Sequence, residues 1–153
     1  MPDDAGRAME PRRLRPDHRL RLKREFDRVF AEGHHASDST LVVVAAANGR
    51  DHSRIGLIVS RRVGSAVTRN RWKRRIREAF RIQRHDLPKG LDYVVRPARD
   101  AEARFASIGP SLSGLAHRLA RRIERERTAR ARRAPTTAED RPPGSAPRPE
   151  EGR

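Results

Sequence analysis

Residues 60–83 read SRRVGSAVTRNRWKRRIREAFRIQ, and what this stretch packs against decides how the rest of the chain folds. Trp72, Ile76, Ala79 and Phe80 recur at i, i+4, i+7 and i+8, which predicts an amphipathic helix from about Ser65 to Gln83. Wound at about 100° per residue, these four and Gln83 share one stripe, while Asn70, Arg71, Lys73, Arg74, Arg75, Arg77, Arg81 and Arg84 fill nearly all the remaining circumference. Between Arg61 and Arg84 ten basic residues face a single acid, Glu78, so the segment carries +9 of a formal net charge of +16. A merely solvated helix face mixes signs. Here Lys73–Arg77 and Arg77–Arg81 repel at i, i+4, each costing a few tenths of a kcal/mol. One stripe therefore needs a sheet, and the other needs a polyanion.

Outward from this helix the chain supplies the sheet. Leu41 to Ala47 is an apolar, β-branched run followed by Asn48-Gly49, which predicts a strand and a turn toward a second strand over Arg54 to Ser60. Lys89-Gly90 breaks the chain, and Leu91 to Val95 is a third readable strand. Leu22, Phe26, Val29 and Phe30 predict an amphipathic helix ended by Gly33, and Ile108, Leu112, Leu115, Leu119 and Ile123 predict a last one. The readable order is α-β-β-α-β-α, a single α+β domain with helices covering one sheet; a short strand before Leu41 is not legible.

Composition bounds the rest. The 153 residues are 35% hydrophobic and 37% charged, too lean to bury a core along the whole length. Residues 134–153 hold five prolines and no Val, Ile, Leu, Met or aromatic side chain. The expected organisation is a disordered extension over 1–13, a folded domain over 14–125 and a disordered Pro/Arg-rich tail over 126–153. There is no cysteine, which excludes disulfides, thiol catalysis and cysteine-bearing metal sites. With no long apolar run and no apolar N-terminal segment, a cytoplasmic protein is expected. Of the 36 basic residues 33 are Arg, so clustering rather than residue identity carries the charge argument.

The residues around the helix carry a resemblance. Arg69-Asn70-Arg71-Trp72-Lys73-Arg74, led in by Val63-Gly64-Ser65-Ala66-Val67, resembles the signature of the bacterial ribonuclease P protein subunit. Phe26 through Gly33 is similar to that family's first helix. The resemblance implies an α-β-β-β-α-β-α fold with a four-stranded sheet and a left-handed β-α-β crossover, against the usual handedness. It implies a ribonucleoprotein endonuclease in which the protein binds the catalytic RNA and the single-stranded 5′ leader of precursor tRNA. The active centre is then expected on the RNA, with Mg²⁺ bound mainly there, no cofactor held tightly by the protein, and no membrane or protein oligomer required. Carried onto this sequence, the RNA-binding positions are Arg69, Asn70, Arg71, Lys73, Arg74 and Arg77. Guanidinium forks suit phosphate oxygens, and Asn70 is a neutral donor and acceptor.

The family's leader cleft falls on Phe26, Phe30 and Val44. Helical spacing alone would make the two phenylalanines core, whereas a cleft would let them stack on unpaired bases. Val44 stands where the family usually has an aromatic, keeping apolar contact and losing stacking. Arg61 and Arg62 stand in place of Lys, and Ser65 in place of Asn, still able to cap the helix. No catalytic residue is expected on the chain: there is no Ser/His/Asp arrangement, paired carboxylate or Gly-rich phosphate loop, and Asp38, Asp51, Asp86, Asp92 and Asp100 are scattered. His34-His35 reads as loop surface rather than a metal site, since a third ligand at usable spacing is missing. The competing class is a non-catalytic ribosomal or RNA-chaperone protein, which composition alone allows equally. An autonomous nuclease and a membrane-surface helix fit less well, the latter because the stripe with Trp72 and Phe80 is needed by the sheet.

Overall fold

The computed structural model describes residues 14–133. The helix α1 (Lys23–Glu32) is followed by the strands β1 (His34–Ser37), β2 (Leu41–Ala47) and β3 (Arg54–Leu57). The helix α2 (Ala66–Gln83), the strand β4 (Leu91–Pro97) and the helix α3 (Phe105–Arg133) complete the order. The extensions over 1–13 and 134–153 lie outside the described residues. Within them, α3 runs to Arg133, eight residues past the boundary set at 125, because Arg and Ala sustain a helix where no proline intervenes. Among the described residues no helix is long and apolar enough to cross a membrane.

The sheet order is β1-β2-β4-β3. β4 pairs antiparallel with β2, Val43 opposite Val95 and Ala45 opposite Tyr93, and parallel with β3, Ile55 opposite Tyr93. α2 is thus the crossover of a parallel β-α-β unit. The Asn48-Gly49 turn does not join neighbouring strands, since β4 lies between β2 and β3. Six residues separate the two strands, too many for a two-residue hairpin. Asn48 serves another end: its side-chain amide donates to the His52 carbonyl at 3.0 Å and to Asp92 Oδ1 at 2.9 Å. β3 stops at Leu57 rather than Ser60, where the chain turns into a single helical turn over Arg61–Val63.

Alternation along the strands separates two cores. Leu41, Val43, Ala45, Ile55, Leu91, Tyr93 and Val95 face α2 and α3, meeting Trp72, Ile76, Phe80, Ile108, Leu112, Leu115 and Leu119. Val44, Ala46 and Val94 point the other way, beneath Leu20, Phe26 and Val29. The stripe anticipated on α2 is therefore the one that is buried, and Ser65 caps the helix by accepting the Thr68 backbone N–H at 3.3 Å. β1 begins with His34-His35, which places that pair on an edge strand rather than in a loop, with His34 Nε2 in contact with the Glu126 carboxylate of α3. Its register on β2 puts Ala36, its one buried residue, opposite Val43.

Asp92 joins the two layers. Its side chain is fully buried and accepts from Arg54 Nε at 2.9 Å and Nη2 at 2.7 Å, and from Arg28 Nη2 at 2.5 Å. Burial by itself would raise this carboxyl, but the hydrogen bonds from Arg54, Asn48 and Arg28 outweigh it and hold the group below the ordinary carboxylate range. Arg28 belongs to α1 and Arg54 also reaches Glu25 of α1 at 3.5 Å, so one β4 carboxylate anchors the helix to the sheet.

Candidate nucleic-acid interface

The polar circumference of α2 divides into two rows. Arg69, Lys73 and Arg77, four residues apart, run beside the buried stripe and are half-buried, whereas Asn70, Arg71 and Arg74 are exposed on the crest. None of these six side chains makes a hydrogen bond or ion pair among the described residues. The nearby basic residues that do are set apart: Arg81 forks onto Glu78 at 2.5 and 3.1 Å, and Arg75 donates to the Ala103 carbonyl. The expected RNA-binding residues are thus five cations and one amide of α2 whose side chains have no partner among the described residues.

The half-buried row gains a member that sequence inspection missed. Arg19 lies in the segment that runs alongside β3, where the backbone N–H of Leu20 donates to the Ile55 carbonyl at 3.0 Å. Burial, and then the charge of Arg19, push the Arg77 guanidinium below its ordinary value, so two cations from different elements face one another. The Nε atoms of both Arg19 and Arg69 are buried without a partner among the described residues. Guanidiniums with no carboxylate partner among the described residues suit a phosphate oxygen. The only sequence signal for Arg19 was a basic residue beside the buried Leu20.

The second surface lies across the sheet. α1 starts where the Glu25 carboxylate accepts the backbone N–H groups of Arg21 and Leu22, at 2.8 and 3.3 Å. A methyl group on Gly56 would lie 2.6 Å from the Phe26 ring, so Gly56 is what lets Phe26 settle on β3. Of the three residues expected in the leader cleft, Phe26 is half-buried there and Val44 is only 3% exposed beneath α1, while Phe30 keeps 43% of its surface open. The fold brings them onto one side of the sheet but gives them different access. On the same face, half-exposed Val42 and exposed Arg96 stand opposite each other just beyond Val44. Strand alternation around Val44 was the signal that could have found them.

These two surfaces, on this sheet order, invite comparison with known proteins. A family model described as Ribonuclease P matches residues 14–120. The chain belongs to the ribonuclease P protein family. Among its relatives, the ribonuclease P protein component of Petrotoga mobilis is 37% identical over 117 residues, covering 76% of this chain and 99% of that one. The corresponding component of Thermotoga maritima is 41% identical over 90 residues, 59% of this chain and 77% of the relative. Solved structures agree. The RNase P protein from Thermotoga maritima superposes with a TM-score of 0.60 at 37% identity, covering 65% of this chain and 96% of that one. A Staphylococcus aureus RNase P protein gives 0.58 at 31% identity, covering 64% and 91%. Membership in the ribonuclease P family favours the ribonucleoprotein reading over a ribosomal or chaperone protein.

Proposed function

We propose that this chain binds the catalytic RNA of ribonuclease P through α2 and the 5′ leader of precursor tRNA through the open face beside α1, promoting endonucleolytic release of the mature 5′ end. The observation that carries it is the set of unpartnered side chains on α2, beside a family match that spans both surfaces. Arg69, Lys73 and Arg77, with Arg19, hold phosphates in the recessed row, and Asn70, Arg71 and Arg74 meet the RNA from the crest. Phe30 offers a ring face to an unpaired base, and Arg96 a charge to the leader backbone. Among the described residues no three His, Asp or Glu side chains gather closely enough to hold a metal ion. In this proposal Mg²⁺ and the hydrolysis it supports belong to the RNA, and the protein contributes binding and orientation.

The test is cleavage of precursor tRNA by the cognate RNA at low Mg²⁺, with and without the protein. Stimulation that requires both is expected. Unchanged cleavage with RNA binding intact would favour the ribosomal or chaperone alternative, and cleavage by protein alone would reveal an active site on the chain. Phe30→Ala should weaken binding of leader-bearing precursor by about 1–3 kcal/mol, the value of one stacked base. Mature tRNA should bind as before, and the melting temperature should hardly move, since the ring is 43% exposed. Loss of folding would instead make Phe30 a core residue.

A further inference from the structure

The family match ends at residue 120, yet α3 continues to Arg133. From 124 to 133 every residue is exposed except half-buried Glu126. This last segment packs on almost nothing, a marginal state for a helix in water. Its charges are sorted. Arg118, Arg121, Arg122, Arg125 and Arg132 lie within about 100° of the helix circumference, with Ala129 among them and no acid. The acids sit on either side: Glu126 holds His34 and Arg130, and Glu124 lies on the opposite flank. Arg122 donates to the His35 carbonyl at 2.6 Å, which fixes the stripe along the β1 edge of the sheet. Arg121, Arg125 and Arg132 have no hydrogen-bond or ion-pair partner among the described residues.

We propose that this arginine stripe on the distal half of α3 is a second RNA-backbone contact, separate from α2. It rests on the RNA-binding function proposed above and extends it to the other edge of the sheet: α2 and Arg19 lie beside β3, whereas the α3 stripe lies beside β1. From Arg118 to Arg132 the stripe is about 21 Å long at 1.5 Å per residue, enough to follow several phosphates. The acid-free face matches a polyanion, and neutralisation by phosphates removes the repulsion among its arginines.

The test is the full chain carrying R121Q, R125Q and R132Q, Gln being nearly as good a helix former as Arg. Binding to the catalytic RNA is titrated with salt, alongside a variant carrying R69Q, K73Q and R77Q. Three lost phosphate contacts should lower the log–log salt slope by about 2.1–2.7, so wild type should lose about 20- to 40-fold more affinity than the α3 variant between 50 and 200 mM salt. A reduced slope with the catalytic RNA alone assigns the stripe to that RNA. A reduced slope seen only when precursor tRNA is offered to the assembled complex assigns it to the substrate. Unchanged slopes in both arms overturn the proposal, whatever the α2 variant does; an unaffected α2 variant would instead overturn the α2 assignment. The variant with Lys at all three positions should keep the wild-type slope, and if it loses as much as the Gln variant, charge is not the cause and the proposal fails.

Discussion

Replacing Asp92 with Ala is expected to be among the most damaging single changes in the domain. The substitution removes the fully buried carboxylate that Arg54, Arg28 and Asn48 share, leaving Arg54 only the longer contact to Glu25 and Arg28 its more exposed partners, Glu32 and the Ala47 carbonyl. Breaking a buried ion pair from one side costs about 3–5 kcal/mol, a large share of the total stability of a small domain. Thermal or urea denaturation measures it, and a loss below about 1 kcal/mol would show that water reaches the site. The same carboxylate gives a pH dependence whose sign is fixed. Its pKa is depressed in the folded state, so its contribution is complete above the ordinary carboxylate value near 3.8 and disappears as pH falls through the lower folded value. Asp92→Asn should therefore flatten the acid limb of stability against pH. Because Arg28 ties α1 to the sheet, such variants should also loosen the wall beside which Phe30 lies.

The second large effect is on binding. The variant carrying Arg69→Gln, Lys73→Gln and Arg77→Gln should lose about a thousandfold in affinity for the catalytic RNA at low salt, at about 1.5 kcal/mol per charge-assisted contact. Stability should not fall, since none of the three has an ion-pair partner among the described residues to lose. Neutralising Arg141, Arg148 and Arg153 removes the same charge from another part of the chain and should change affinity far less. Equal losses from both triple variants would mean that the overall positive field, rather than the ordered row on α2, governs binding.

What could be read beforehand followed from periodicity. The stripe of Trp72, Ile76, Ala79 and Phe80 was visible because one helix face had to be apolar while its neighbours were cationic. β1 was invisible because only Ala36 of its four residues is buried, so no alternation announces it. The strand order was equally hidden: β2 is a continuous apolar run and β4 is apolar but for Asp92 and Arg96, and neither pattern says which strand lies beside which. Asn48-Gly49 looked like a hairpin, yet Asn48 is held by Asp92 from a distant strand. Charged partners far apart in sequence leave no local pattern, which is why Asp92 with Arg54 and Arg19 with Arg77 emerged only in three dimensions. In the cleft, residue type pointed to Phe26, Phe30 and Val44, but only the angle of α1 across the sheet decides which of them stays accessible.

The central position of β4 sets a schedule for synthesis. During translation β1 and β2 can pair once they leave the ribosome, but β3 has no partner strand in the sheet until Leu91–Pro97 arrives. At about 5–20 residues per second, the stretch from Gln83 to Pro97 takes about 0.7–3 s, during which the apolar stripe of α2 lacks the finished sheet to cover. Until then the cationic face of α2 is carried on an unfinished fold, and closure of β4 between β2 and β3 is the event that ends the interval.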